Sequence, residues 1–203
     1  MVRTLCAAAF AALTFVPAAD AADGNGDFAI RGAGRLTCEQ LGAALAARDA
    51  TQLTIFATWV EGYITAANQF QDATFDATPW QTTELILALS GQACAERGQE
   101  TTFMDIIGRL IAEMRPIRLA EKSGLVRIGD ENAVQVHYRE TVERVRARLI
   151  ALGYEFEQPS IIGEKAMDEM SANLRAYQAK EKLPQSGRLD QHTLLNLFVR
   201  PSK

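Results

Sequence analysis

The sequence predicts a mainly α-helical protein: a four-helix N-terminal unit, a short β-hairpin connector and a three-helix C-terminal domain. Three observations predict it. Apolar residues recur at helical spacing in seven segments. Two short segments, 124–128 and 134–138, alternate apolar and polar residues instead. Two cysteines, Cys38 and Cys94, frame the first helical group. The chain has 203 residues, a hydrophobic share of 48% and a charged share of 23%, an ordinary globular composition. Six prolines and fourteen glycines exclude a disordered or collagen-like chain. A net charge of -4 and a pI near 5.3 argue against a nucleic-acid-binding protein.

Residues 1–21 have the pattern of a secretory leader. Arg3 supplies the positive end, Leu5 to Val16 the apolar stretch, and Ala19-Asp20-Ala21 a small-x-small cleavage site. The alternative is an N-terminal membrane anchor, but the apolar stretch is short for a span. Cleavage would start the mature chain at Ala22 and remove Cys6, leaving Cys38 and Cys94. These expectations place the protein in the periplasm or outside the cell, where disulfides persist, with no stable membrane span after cleavage. A bridge between the two cysteines would close a loop of about 57 residues and contribute about 4 kcal/mol on the chain-entropy model. Two free thiols or a redox pair are the alternatives; the spacing is not C-x-x-C.

Ala22 to Gly34 is rich in Gly, Ala and Asp without a period and reads as a flexible tail. The helical domain then runs over 35–117. Thr37 and Gln40 form a capping-box pattern ahead of Leu41 and Leu45. Gln52 to Gln71 is a longer helix with Leu53, Phe56, Val60, Tyr63, Ile64 and Ala67 on one face. Gly62 weakens it by about 1 kcal/mol relative to Ala unless close packing requires it. Thr83 to Ala95 and Thr102 to Met114 complete the group, and Pro116 ends it. A core of this size is marginal alone, so a disulfide has a clear stabilising task.

The connector spans 118–138. Gly129-Asp130-Glu131-Asn132 supplies turn residues between the alternating segments. His137 falls on the polar phase of the second strand and reads as a surface histidine. The C-terminal domain, 139–203, begins with a helix over Thr141 to Leu152, closed by Gly153 as its left-handed cap. A second helix lies within Gly163 to Lys182, and Asp190 caps a third carrying Leu194, Leu195 and Phe198.

Two resemblances follow from these residues. Trp59-Val60-Glu61-Gly62-Tyr63 with Asn68, framed by Cys38 and Cys94, resembles the HdeA-type periplasmic acid chaperones and the related helical immunity-type domains. In the last third of the chain, Val142, Val145, Leu149, Leu152-Gly153-Tyr154, Gly163 and Leu174-Arg175-Ala176-Tyr177-Gln178 come first. Leu183-Pro184, Gly187, Leu189-Asp190, Thr193-Leu194 and Leu197 follow in order. Together they resemble the peptidoglycan-binding modules of cell-wall enzymes (the PG-binding-1 family). The chain departs from that pattern in four places. Arg146 stands for a usual Gln, and Gln158-Pro159-Ser160-Ile161-Ile162 stands for a loop with Asp-Gly that lies near the family's cleft. Met167 stands for a common Thr, and the distance from Gly163 to Gln178 is three residues longer than usual.

The second resemblance implies peptidoglycan as partner. Its sugar hydroxyls, amides and stem-peptide carboxylates call for planar polar donors, an aromatic platform and a cation. Tyr154, Arg175, Gln178 and Arg188 have the right chemistry for such a site, although Tyr177 and Gln178 serve equally as structural residues. The first resemblance implies a different function, an acid-stress chaperone or immunity-type protein acting through the helical domain on an unidentified protein partner. A catalytic site is not expected. His137 and His192 stand alone, without a second His at ligand spacing, so neither a metal nor another cofactor is expected. No H-E-x-x-H, G-x-S-x-G or Cys-His nucleophile pair occurs. The acid pairs Glu155 and Glu157, and Asp168 and Glu169, read as loop and helix-surface charges rather than glycosidase carboxylates.

Overall fold

A computed structural model describes residues 22, 23, 25–128 and 134–199. The leader expected at 1–21 and the hairpin turn at 129–132 lie outside the described residues. The chain divides into the segment through Ile30 and the body from Arg31 onward. In the first, the Asp23 carboxylate accepts from the backbone N–H groups of Asn25 and Asp27, each at 2.9 Å. These bonds hold its pKa below the usual carboxylate value.

The body is mainly helical, with one two-stranded sheet and the Cys38–Cys94 disulfide. Its α-helices are α1 (Cys38–Ala47), α2 (Ala50–Phe70), α3 (Thr83–Ala95), α4 (Phe103–Met114), α5 (Arg139–Ala151), α6 (Glu164–Lys180) and α7 (Gln191–Phe198). Strands β1 (Leu125–Ile128) and β2 (Gln135–Tyr138) pair antiparallel between α4 and α5.

Local chemistry sets the helix starts. Thr37 and Gln40 make the reciprocal capping box: Gln40 N–H donates to Thr37 Oγ1 at 3.4 Å, and Thr37 N–H to Gln40 Oε1 at 2.9 Å. Helix α2 begins at Ala50 rather than Gln52 because Asp49 caps it, accepting from Thr51 and Gln52 N–H at 3.0 Å. Thr82 and Thr102 cap α3 and α4 in the same way. Helix α5 starts at Arg139, two residues before the expected Thr141. Strand β2 passes straight into it, and Arg139 N–H donates to Gly124 O at 2.7 Å.

The expected tail is shorter than the sequence suggests. Gly32–Arg35 forms a 3-10 turn whose Ala33 and Gly34 are buried. Arg31 O accepts from the Trp59 indole N–H at 2.8 Å, and Gly32, at φ +58°, lies against the Trp59 ring. Small and glycine-rich residues here serve close packing, which composition alone does not separate from disorder. Trp59 stacks on Tyr63 at 5.5 Å and tilts against Phe103 at 5.6 Å. Phe103 in turn meets Phe56 edge-on at 4.8 Å. The W-x-x-G-Y segment is therefore an aromatic packing motif on α2.

Among the described residues there are two apolar clusters. One lies among α1–α4 and includes Leu41, Phe56, Val60, Ile86, Phe103 and Ile107. The other lies among the hairpin and α5–α7 and includes Val126, Val145, Leu149, Leu174, Leu189 and Leu194. Trp80, from the loop before α3, belongs to the second cluster and packs 6.2 Å from Phe198. Leu85, Ile117 and Leu195 touch both clusters. Gln191, at the start of α7, accepts from Thr82 N–H at 3.1 Å and donates to Trp80 O. Arg144 donates to the carbonyls of Ile117 and Arg118 at 2.9 and 3.0 Å.

The hairpin reverses the expected phase of β2. Val126 pairs with His137, and Ile128 with Gln135; Val126 and Ile128 are buried, while Val134 and Val136 are exposed. His137 is accordingly half-buried, not a surface residue, and its buried Nε2 has no hydrogen-bond partner. Cross-strand register decided the face, because β1 had to bury its two β-branched residues on the second cluster. Burial pushes the His137 imidazole below its ordinary value.

Two predictions follow from this packing. A Cβ at exposed Gly62 meets nothing within 4 Å, so Gly62→Ala should stabilise the protein by about 0.5–1 kcal/mol in denaturant titration. Burial lowers the His137 pKa in the fold, whereas the unfolded imidazole keeps its ordinary value of about 6.5. The unfolded state then binds more protons, so stability should fall as pH drops from about 6.5 toward 5. Replacing His137 with Phe should flatten that slope, measured by urea titrations at stepped pH.

Candidate functional site

A cleft of about 760 Å³ opens on the C-terminal domain. Helix α6 supplies one wall. Glu164, Asp168, Ser171 and Arg175 recur at helical spacing and all line the cleft. The 186–189 loop supplies a second wall, and β1 and β2 contribute Ile128 and Gln135. Buried Met170, Leu174, Leu189 and Ile128 give an aliphatic floor. Glu164, Asp168, Arg175 and Arg188 are exposed, and none of them has an ion-pair partner among the described residues.

Gln178 fixes the loop wall. Its side chain is fully buried, and every polar atom is used. Nε2 donates to Thr193 Oγ1 at 2.8 Å, Ser186 Oγ at 3.1 Å and Arg188 O at 3.2 Å. Oε1 accepts from Gly187 N–H at 2.8 Å. Ser186 donates onward to Asp190 Oδ2 at 2.7 Å, and Asp190 Oδ1 caps α7 through Thr193 N–H at 2.9 Å. Gln135 clamps the same loop from the hairpin: its amide accepts from Leu189 N–H at 3.1 Å and donates to Leu189 O at 3.4 Å.

Gly187 is required twice over. Its φ is +65°, and an added Cβ would lie 2.6 Å from Ser171 Oγ and 2.9 Å from Arg175 Nε. The loop therefore presses directly on α6, which brings Arg175 beside the backbone that carries Arg188.

The four sequence-predicted binding residues separate into two pairs. Arg175 and Arg188 line the cleft together. Gln178 does not face it; the buried network above consumes its amide. Tyr154 does not line it either, but packs edge-on to Tyr177 at 6.3 Å. Desolvation, with a smaller push from Glu181, raises its phenol pKa. Tyr177 donates to Asn196, and burial pushes its phenol up to about 12. Glu164, Asp168, Ser171 and Gln135 were missed as cleft residues. The signal for the first three was the polar stripe on α6, four-, three- and four-residue steps ending at Arg175.

Arg146 and the 155–158 loop form a separate cluster, whereas Met167 lines the cleft. Arg146 donates to Gln158 O at 2.9 Å and lies over the Phe156 ring at 4.9 Å. Glu169 accepts from Glu157 N–H and, at 3.1 Å, from Gln158 N–H. Asn173 donates to Glu155 O at 2.8 Å. Of the acid pairs, Glu169 thus holds the backbone of the 155–158 loop, while Asp168 points into the cleft. Residues 153–162 do not line the cleft. No group of His, Cys, Asp and Glu suited to a metal ion occurs among the described residues.

Comparison with family models, curated proteins and solved structures finds no match to this chain.

Gly187→Ala should strain the left-handed turn and displace Arg175. A loss of about 1–3 kcal/mol in thermal or urea unfolding is expected. Gln178→Leu should lose a similar amount by leaving Gly187 N–H and Thr193 Oγ1 short of a partner.

Proposed function

We propose that this is an exported, non-enzymatic protein that binds cell-wall peptidoglycan through the cleft of its C-terminal domain. The observation that carries the reading is a convergence. Gln178, Gly187, Leu189, Asp190 and Thr193, the residues that bear the peptidoglycan-binding resemblance, form the hydrogen-bonded frame of one cleft wall. The pattern in the sequence is thus the pattern that builds a concave, charged site. Arg175 and Arg188 supply cations suited to the wall's carboxylates.

Export rests on the residue pattern of 1–21 and is consistent with the Cys38–Cys94 disulfide. No helix among the described residues is long and apolar enough to cross a membrane. In this reading the four-helix part, joined to the binding part through Trp80 and Gln191, presents a surface to a partner at the wall.

The test is co-sedimentation of the mature chain with purified insoluble peptidoglycan, alongside an Arg175→Glu/Arg188→Glu variant. The wild type should pellet and the variant should stay largely in the supernatant, with unchanged far-UV circular dichroism. Failure of the wild type to pellet across salt and pH would reject wall binding and move the function to the helical part.

A further inference from the structure

The composition of the cleft discriminates between the two chemistries that peptidoglycan offers. A sugar chain is neutral along its backbone and is ordinarily gripped by flat aromatic faces and neutral hydrogen-bonding groups. Among the described residues, no aromatic side chain lines this cleft. Tyr154, the expected platform, is spent on Tyr177. What lines the cleft is an aliphatic floor with opposite charges at its two ends.

The charges are separated by geometry. Glu164 and Asp168 lie on the first turns of α6, and Arg175 lies toward its far end. At 1.5 Å per residue, Asp168 and Arg175 are about 10 Å apart along the helix axis. Gly187 packs against Arg175, so Arg188 joins the cationic end. A free α-amino acid, whose two charges sit on one carbon, is too short to reach both ends. Three residues of extended peptide span about 10 Å.

We infer that the cleft selects the stem peptide of peptidoglycan rather than its glycan strand, an inference that rests on the wall-binding reading. Arg175 and Arg188 take a peptide carboxylate. Asp168, with Glu164 behind it, takes the free ammonium of a diamino acid. Met170, Leu174, Leu189 and Ile128 receive the methylene chain between. Charge-assisted contacts at both ends would orient the peptide in one direction only.

The experiment is calorimetric titration of the full mature chain with three probes. They are the synthetic tripeptide L-alanyl-γ-D-glutamyl-meso-diaminopimelate, its form acetylated on the side-chain amine, and glycan oligomers of N-acetylglucosamine, which present the sugar faces without the lactyl carboxylates that removing the peptides would bare. The tripeptide should bind saturably, and the glycan oligomers should not. Arg175→Ala/Arg188→Ala should weaken tripeptide binding about tenfold or more. Acetylation should weaken binding to the wild type but make little difference to Asp168→Asn, a readout that a merely structural role of Asp168 would not produce. Glycan binding without tripeptide binding overturns the inference and leaves wall binding standing. So does pelleting with insoluble peptidoglycan when the tripeptide does not bind. Equal affinity for the free and acetylated peptides overturns the ammonium site. If neither probe binds and the chain does not pellet, the inference and the wall-binding reading fall together.

Discussion

A single buried amide, the side chain of Gln178, is the constraint on which the C-terminal half depends. The 184–190 loop has no regular structure, so its backbone groups need partners from elsewhere. Gln178 provides them from α6: it accepts from Gly187 N–H and donates to Arg188 O, and it also reaches the capping residue network of α7 through Thr193. The loop, the start of α7 and the far end of α6 are therefore positioned by one group. In a site with so little solvent, leaving any of these groups unpaired is expensive, which makes the arrangement all-or-none. Arg175 and Arg188 are exposed, while hydrogen bonds from Gln178 fix the loop backbone beside them.

The second constraint is the seam between the two apolar clusters. The sequence divides naturally near Ile117, where Pro116 ends α4 and the helical spacing lapses. The packing ignores that division. Trp80 leaves the N-terminal half to complete the C-terminal cluster, and Gln191 holds the backbone at Trp80 O and Thr82 N–H. The pairing of Asp76 with Leu119 and the reach of Arg118 to Ala73 O at 2.9 Å add the connector to the same seam. The disulfide ties α1 to the end of α3, so the first cluster meets this seam as a braced body and not as four loosely associated helices.

Much of the fold was legible because local signals and tertiary packing agree. Thr37 and Asp190 cap the helices that their positions announce, and Gly153, at φ +91°, ends α5 as a glycine there should. What was not legible depended on partners distant in the chain. Nothing near His137 says that it faces inward; the decision belongs to Val126 and Ile128 across the hairpin. Nothing near Gly32 says that Trp59 covers it. The cleft was half legible for the same reason. Arg175 and Arg188 follow from the motif, but Asp168 and Glu164 matter only because Gly187 brings the loop against α6. Tyr154 and Gln178 have binding chemistry, yet Tyr154 packs on Tyr177 outside the cleft and Gln178 is buried against Ser186 and Thr193.

The surroundings of Arg146 have a physical account. The 155–162 loop contains no Asp-Gly turn and is held from outside. Arg146 supplies a cation over Phe156 and a donor to Gln158 O, and Glu169 accepts from the next two backbone N–H groups in the opposite direction. Asn173, one turn further along α6, takes Glu155 O. These three side chains substitute for an internal turn, and each comes from a helix that also packs the core. Helix α6 fits the same scheme, since it carries both Glu169 and Asn173 to the loop on one side and Asp168, Ser171 and Arg175 to the cleft on another. A helix with two polar faces, one binding its own loop and one open, explains why the altered loop leaves the cleft intact. It leads into Gly163, at φ +107°, and so sets where α6 begins and where Glu164 stands, but its own residues remain outside the walls.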